Sequence, residues 1–295
     1  IKKSLIGITA NPEAAEAFGI APDNIYPFWD WVGGRFSVWS AVGFPIAIKF
    51  GFDTYMDFLA GAHAMDEHFI TAPATENMPL TLALTLIHNQ KKHGITAKAL
   101  IPYAHALRLL PEWLQQLEME SHGKTVTMSG ETCDPTSPVV FGSAGSNSQH
   151  SYFQMLHQGS QIIPVDFIAV QEPMSQLPEA KEHHEALIAN CLAQAQALAN
   201  GSHETNAYNS CPGNRPSNLL WIKKLDAYHL GALLALYEHR ALCLGAIWNL
   251  NSFDQPGVEL GKKLSKPIQQ ALHGDNSALN GIDEITAARI KWLNS

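Results

Sequence analysis

Four dispersed side chains carry groups suited to moving protons or holding developing charge. Glu120 ends a predicted helix over residues 105–119, where a carboxylate meets the negative end of the helix dipole. That placement suits either a proton-transfer base or a solvated surface carboxylate beside Lys124. His150 directly follows the small-residue loop over residues 142–148 and opens a predicted helix. Imidazole is the usual proton-transfer group near neutral pH, though a histidine there could equally pack or cap. Arg35 follows Gly33-Gly34, whose missing Cβ atoms allow a ligand to approach the backbone. Its guanidinium could offset an oxyanion or sit in a structural ion pair. Lys262 closes the run that starts at Asp254-Gln255-Pro256-Gly257, and by position alone it is an ordinary solvated helix lysine. The residue types slightly favour a proton-shuttling enzyme and leave a ligand-binding module open.

Other chemistries lack their motifs. His63 and His68 are five apart and His183 and His184 are adjacent, so neither pair shares a helix face as zinc ligands at i, i+4 would. No metal or redox cofactor is expected. Cys133, Cys191, Cys211 and Cys243 show no Cys-x-x-Cys spacing, in keeping with a reducing cytoplasm. The 295 residues hold 19 Lys and Arg against 27 Asp and Glu, a formal charge of −8. That balance, without a basic run, argues against nucleic acid or an anionic membrane as partner. The longest apolar stretches carry Lys49, His88 or Glu238, and no membrane span is expected. The opening Ile1-Lys2-Lys3-Ser4 does not read as a signal peptide, because the apolar run after it is short and breaks at Asn11-Pro12.

The elements that must position these groups alternate in character. Short apolar runs over residues 5–9, 98–102, 139–141, 161–169 and 219–222 read as strands. Helical patterns lie over residues 12–18, 36–50, 81–92, 105–119, 149–158, 179–199 and 230–248. Asn11 and Pro12 start the first helix and Gly19 stops it, while Gly94 stops the third. Residues 200–217 form a polar linker, and the tail from Asp254 carries two amphipathic segments around residues 274–281. Alternation of this kind predicts an α/β fold with a parallel sheet covered by helices on both faces, followed by a helical tail. In such folds ligands sit beyond the carboxyl ends of the strands, and the loop after Phe141 is one such place.

Three long segments resemble the glucose-6-phosphate isomerase (phosphoglucose isomerase) family. The first runs Phe28-Trp29-Asp30-Trp31-Val32-Gly33-Gly34-Arg35-Phe36-Ser37-Val38-Trp39 to Gly43. The second runs Gly145-Ser146-Asn147-Ser148-Gln149-His150 to Gly159, with Pro164-Val165-Asp166-Phe167-Ile168 following. The third is Asn251-Ser252-Phe253-Asp254-Gln255-Pro256-Gly257-Val258-Glu259-Leu260-Gly261-Lys262. The resemblance implies a three-layer αβα sugar-isomerase (SIS-type) fold with a parallel sheet and a helical C-terminal tail. It also implies interconversion of glucose 6-phosphate and fructose 6-phosphate through a cis-enediol, without a cofactor.

Carried over by position, Glu120 resembles the base that moves the proton between C2 and C1. Arg35 resembles the group that stabilises the enediolate, with Gly34 lining the same site. Gln116 and Gln255 resemble substrate-binding residues, the latter on the phosphate side. His150 and Lys262 resemble the ring-opening pair, with His150 contributed across a homodimer interface. Departures are Ser143-Ala144 where the family often has Glu-Pro, Pro256 where it has Trp, and a shorter linker before Gly213; none touches a residue given a chemical role.

The resemblance covers only the C-terminal half of the family. It implies a division into residues 1–50, the remnant of a first sugar-isomerase domain, 51–248, the second such domain, and 249–295, a helical extension. A chain lacking the N-terminal phosphate-binding part is expected to turn over poorly by itself. The rival readings are a non-catalytic sugar-phosphate-binding module of the same fold and a related isomerase accepting mannose 6-phosphate.

Overall fold

The computed structural model describes residues 4–294, so Ile1-Lys2-Lys3, part of the argument against a signal peptide, lie outside the described residues. The chain divides into two compact units, Ile1–Ser252 and Phe253–Ser295.

The first unit opens with a parallel pair, β1 (Gly7–Thr9) and β2 (Ile25–Pro27), joined through helix α1 (Pro12–Phe18). Asn11 accepts the Ala14 N–H at the start of α1, and Gly19 turns the chain out at φ 99°. The expected helix over residues 36–50 is instead three pieces. Turns of 3₁₀ helix at Gly34–Trp39 and Ala41–Gly43 precede α2 (Phe44–Phe50). Ser40 is the reason: its extended backbone ends the first turn while its hydroxyl caps the Val42 N–H.

A long helix absent from the sequence reading follows, α3 (Phe52–Thr71), then α4 (Met78–His93), which starts at an Asn77 cap. The remaining elements are β3 (Ala97–Pro102), α5 (Leu110–Gln115) running into a π-helical turn at Gln116–Glu120, and β4 (Val139–Gly142). After them come α6 (Gly145–Gln149), α7 (Phe153–Gln158), β5 (Val165–Val170), α8 (Ala180–Asn200), β6 (Ser217–Ile222) and α9 (Ala227–Trp248). The predicted helix after the small-residue loop therefore starts earlier, inside that loop, and His150 ends its first piece rather than opening it. With little side-chain bulk, residues 145–149 give no periodicity to read.

The four strands pair in the order β4-β3-β5-β6, all parallel, as expected of an α/β sheet. Alternate residues separate its faces. Ala99, Ile101, Val165, Phe167 and Ala169 pack with Phe153, Leu156, Cys191 and Leu198 of α7 and α8. Leu100, Val140, Ile168 and Val170 pack on the other side against Ala62 and Met65 of α3, Leu114 of α5, and Leu233 and Leu236 of α9. Truncating fully buried Leu114 to alanine would cost about 2–5 kcal/mol.

The crossing of α3 and α9 is a backbone-to-backbone contact. A Cβ on Gly61 would overlap the Tyr228 carbonyl, and one on Gly231 would overlap the Phe58 carbonyl. Helix α9 is long and apolar enough to cross a membrane by length and composition, but more than half of its most apolar window is buried and it carries buried Arg240, so it serves here as a core helix. All four cysteines are free.

The second unit consists of α10 (Pro256–Leu272), a 3₁₀ turn at Asn276–Gly281 and α11 (Glu284–Leu293), matching the two amphipathic segments of the sequence. Asp283 caps α11 by accepting the Ile285 and Thr286 N–H groups, and Asn294 donates to the Ala271 carbonyl.

A buried histidine and a half-buried glutamate oppose one another in pH. Burial lowers the His122 pKa to about 4, its Nε2 facing the Ala241 carbonyl at 2.8 Å. The unfolded chain therefore takes up this proton first, and stability falls as pH drops from about 6.5 towards 4. Glu238 accepts the Trp39 Nε1–H at 2.7 Å and lies near Asp66, which pairs with His239 at 2.6 Å. Burial raises its pKa to about 7. Stability from the neutral Glu238 is full below about pH 4.5 and lost as pH rises through 7. Glu238→Gln, which keeps an acceptor for Trp39, should be more stable than the parent by about 1–3 kcal/mol at pH 8. Denaturant unfolding as a function of pH checks this, and a difference of the same size at pH 4 would contradict it.

Candidate active site

Arg35 sits in the 3₁₀ turn Gly34–Trp39 and is 4% exposed, so its guanidinium has to be met by protein groups. Nε donates to Ser121 Oγ at 2.8 Å and Nη2 to the Ser252 carbonyl at 2.6 Å. These two bonds fix the plane of the group and turn Nη1 to the Glu120 carboxylate, 3.4 Å from Oε1. Gln116 Nε2 donates to the other oxygen, Oε2, at 3.1 Å. The Glu120 side chain keeps 21% of its surface accessible, so a ligand can reach it while the arginine beneath stays covered. A carboxylate with one accessible face next to a buried, permanently charged guanidinium can take a proton from carbon while the cation offsets charge building on oxygen.

The local fold explains why Gln116 and Glu120 point the same way. They are four apart on the π-helical turn, which places them on one side, while Glu118 two residues along points to the other. Glu118 is 1% exposed and enters a buried group of charges that the sequence reading did not identify. Its Oε1 lies 3.0 Å from Lys98 Nζ on β3 and 3.1 Å from Arg240 Nη1 on α9. Asp166 Oδ2 on β5 lies 3.5 Å and 3.2 Å from the same two cations, and Asn218 donates to its Oδ1 at 2.7 Å.

Strand periodicity places Lys98 and Asp166 on the α9 side of the sheet, since they share parity with Leu100 and Ile168. Burial alone would raise the Glu118 and Asp166 carboxyls, but Arg240 and Lys98 overcome it and hold both below the ordinary carboxylate range. Part of the signal for this group was present in the sequence as single charges inside apolar runs: Lys98 in its strand and Asp166 between Val165 and Phe167.

Of the other predicted site residues, Gly34 is exposed at the start of the turn that carries Arg35. His150 is exposed at the end of α6, and its ring has no hydrogen bond among the described residues. The loop before it is anchored by Gln149, which donates to Tyr103 Oη at 2.7 Å, and by Ser143, 3.1 Å from Tyr152 Oη. Gln255 and Lys262 belong to the second unit, Gln255 at the cap position of α10 and Lys262 one helix turn past Val258. Lys262 Nζ donates to Glu259 Oε1 at 2.7 Å on the exposed side of α10. Among the described residues, no cluster of three or more His, Cys, Asp or Glu side chains could hold a metal ion.

Residues 1–290 match the phosphoglucose isomerase family. A glucose-6-phosphate isomerase of Dechloromonas aromatica is 47% identical over 99% of this chain and 57% of its own length. One from Polaromonas naphthalenivorans is 50% identical over 99% of this chain and 55% of its own. The crystal structure of a glucose-6-phosphate isomerase from Chlamydia trachomatis superposes with a TM-score of 0.81 at 32% identity, over 96% of this chain and 59% of that one. The chain thus spans little more than half the length of the curated relatives it matches. On a match covering nearly all its residues, the chain belongs to the phosphoglucose isomerase family.

Proposed function

We propose that this chain forms the C-terminal half of an aldose–ketose isomerase that interconverts glucose 6-phosphate and fructose 6-phosphate. The carrying observation is the Arg35–Glu120 contact at 3.4 Å, with Gln116 on the second carboxylate oxygen. Glu120 removes the C2 proton of the open-chain sugar and returns it to C1, one base on one face serving both carbons, while the proton of the C2 hydroxyl passes to O1 so that the aldehyde becomes a ketone. Arg35 remains protonated and offsets the negative charge that develops on the enediolate oxygens. Gln116 orients Glu120 and contacts substrate, and the exposed Gly34 leaves backbone room beside the reacting atoms.

His150 and Lys262 move the proton between the ring oxygen and the C1 hydroxyl when the cyclic sugar opens, and Gln255 contacts the phosphate side. A solvent-facing His150 ring without a hydrogen-bond partner among the described residues suits a residue offered to a second subunit, so the working unit in this reading is a homodimer. No cofactor enters the reaction, and a cytoplasmic location follows from its sugar-phosphate substrates. Residues up to 50 are read as the end of a first sugar-isomerase domain, 51–248 as the second, and 249–295 as a helical extension.

Three outcomes test this reading. In a chain extended by the N-terminal half that the relatives carry, Glu120→Gln should lower kcat for fructose 6-phosphate by about 10²–10⁴-fold with binding kept. Unchanged turnover would refute the base assignment and favour a sugar-phosphate-binding module. Arg35→Lys should lower kcat by about 10²–10³-fold, because an ammonium cannot hold Ser121 and Ser252 and still face Glu120 in the same plane. The present 295 residues alone should bind sugar phosphate weakly and turn over poorly, and the extension should restore activity; a coupled assay on both proteins decides this.

A further inference from the structure

The buried charges under the π-helical turn take no part in the chemistry above, yet they are an expensive way to fill a core. Two cations and two anions are each almost fully enclosed, and apolar side chains of similar volume in such positions are often as stable or more so. What apolar packing cannot supply is direction. A carboxylate oxygen held by Lys98 from a strand and by Arg240 from a helix is directed by two charge-assisted contacts at once, a directionality that apolar contacts do not have.

The turn needs such a hold. A π-helical turn is rarely self-sustaining, and this one carries Gln116 and Glu120 on one side and Glu118 on the other. Any rotation that releases Glu118 from the core swings the other two away from Arg35. The buried group is also balanced in charge, so its effect on Glu120 is on placement rather than on net field. Glu118 Oε2, Arg240 Nε and Tyr237 Oη lack hydrogen-bond partners among the described residues, so the group is not arranged for maximal stability.

We propose that Glu118 is a positioning residue, which through Lys98, Arg240 and Asp166 locks the turn that aims Gln116 and Glu120 at Arg35. This rests on the isomerase reading, and the experiment separates the two. In the chain extended by the N-terminal half, Lys98→Met combined with Glu118→Met removes one charge of each sign and leaves Asp166 paired with Arg240. This double variant is expected to keep or raise Tm while kcat for fructose 6-phosphate falls at least about 10-fold and KM changes by less than about threefold. Glu118→Asp, which keeps the charge on a shorter stem, should recover part of the loss.

A merely structural role predicts the reverse pattern, with Tm lowered and kcat per folded molecule unchanged. Retention of kcat within twofold in the double variant overturns the inference, as does a loss of kcat matched by a loss of folded protein. Asp166→Asn, which disturbs the same charges from a strand that does not carry the turn, provides the second measurement. Its kcat should stay nearer the parent than that of Glu118→Gln, and an equal loss in both overturns the proposal. If Glu120→Gln also left turnover intact, the isomerase reading would fail first. If Glu120→Gln abolishes turnover and the methionine pair does not, only the positioning role falls.

Discussion

A guanidinium cannot be enclosed without partners, and the enclosure of Arg35 organises the centre of this molecule. Its donors reach Ser121 and Glu120 at the end of the π-helical turn and the carbonyl of Ser252 beyond α9. Three stretches far apart in sequence are thereby tied at one point. The turn that carries Arg35, Gly34–Trp39, buries Ser37 as well, and Ser40 ends that turn before α2 begins.

Much of the scaffold was legible because its elements obey one period each. Strands such as β3 and β5 are short apolar runs bounded by breakers, α1 and α4 carry ordinary start and stop residues, and α8, which begins without a side-chain cap, stops at Gly201. Reading failed where tertiary contacts decide. Helix α3 does bury a stripe at helical spacing, Phe58, Gly61, Ala62 and Met65, but Gly61 and Ala62 at its centre carry little apolar bulk, and the close approach of α9 that calls for them is a tertiary relation. The short α6 is built of Gly, Ser and Asn, which favour turns in isolation.

The site divides the same way. Glu120, Arg35 and His150 stood out by residue type and position, but their local sequence suits an ordinary surface or core equally well, and Gln116 was named by the signatures alone. The geometry that brings three of them together comes from parts of the chain more than eighty residues apart, a relation no local pattern encodes. Lys98 and Asp166 announced themselves differently, as isolated charges within strands that are otherwise apolar, whereas Glu118 sits between Gln116 and Glu120 and Arg240 beside Glu238 and His239. Such a charge is informative because desolvation is costly, so each one implies a partner elsewhere. Had the four been matched by burial parity, the pairing of β3 with β5 and the packing of α9 could have been anticipated.

The near-contact of α3 and α9 at Gly61 and Gly231 has a reach beyond those two helices. Because main chain rests on main chain there, the spacing is set by atoms that cannot change rotamer. Arg240 lies on α9 about two and a half turns past Gly231, so the depth to which it penetrates is inherited from that spacing. A single methyl group at either glycine would act as a shim, lifting α9 and drawing its cation away from the carboxylates. Two glycines thus work as the gauge against which a fully buried arginine is seated.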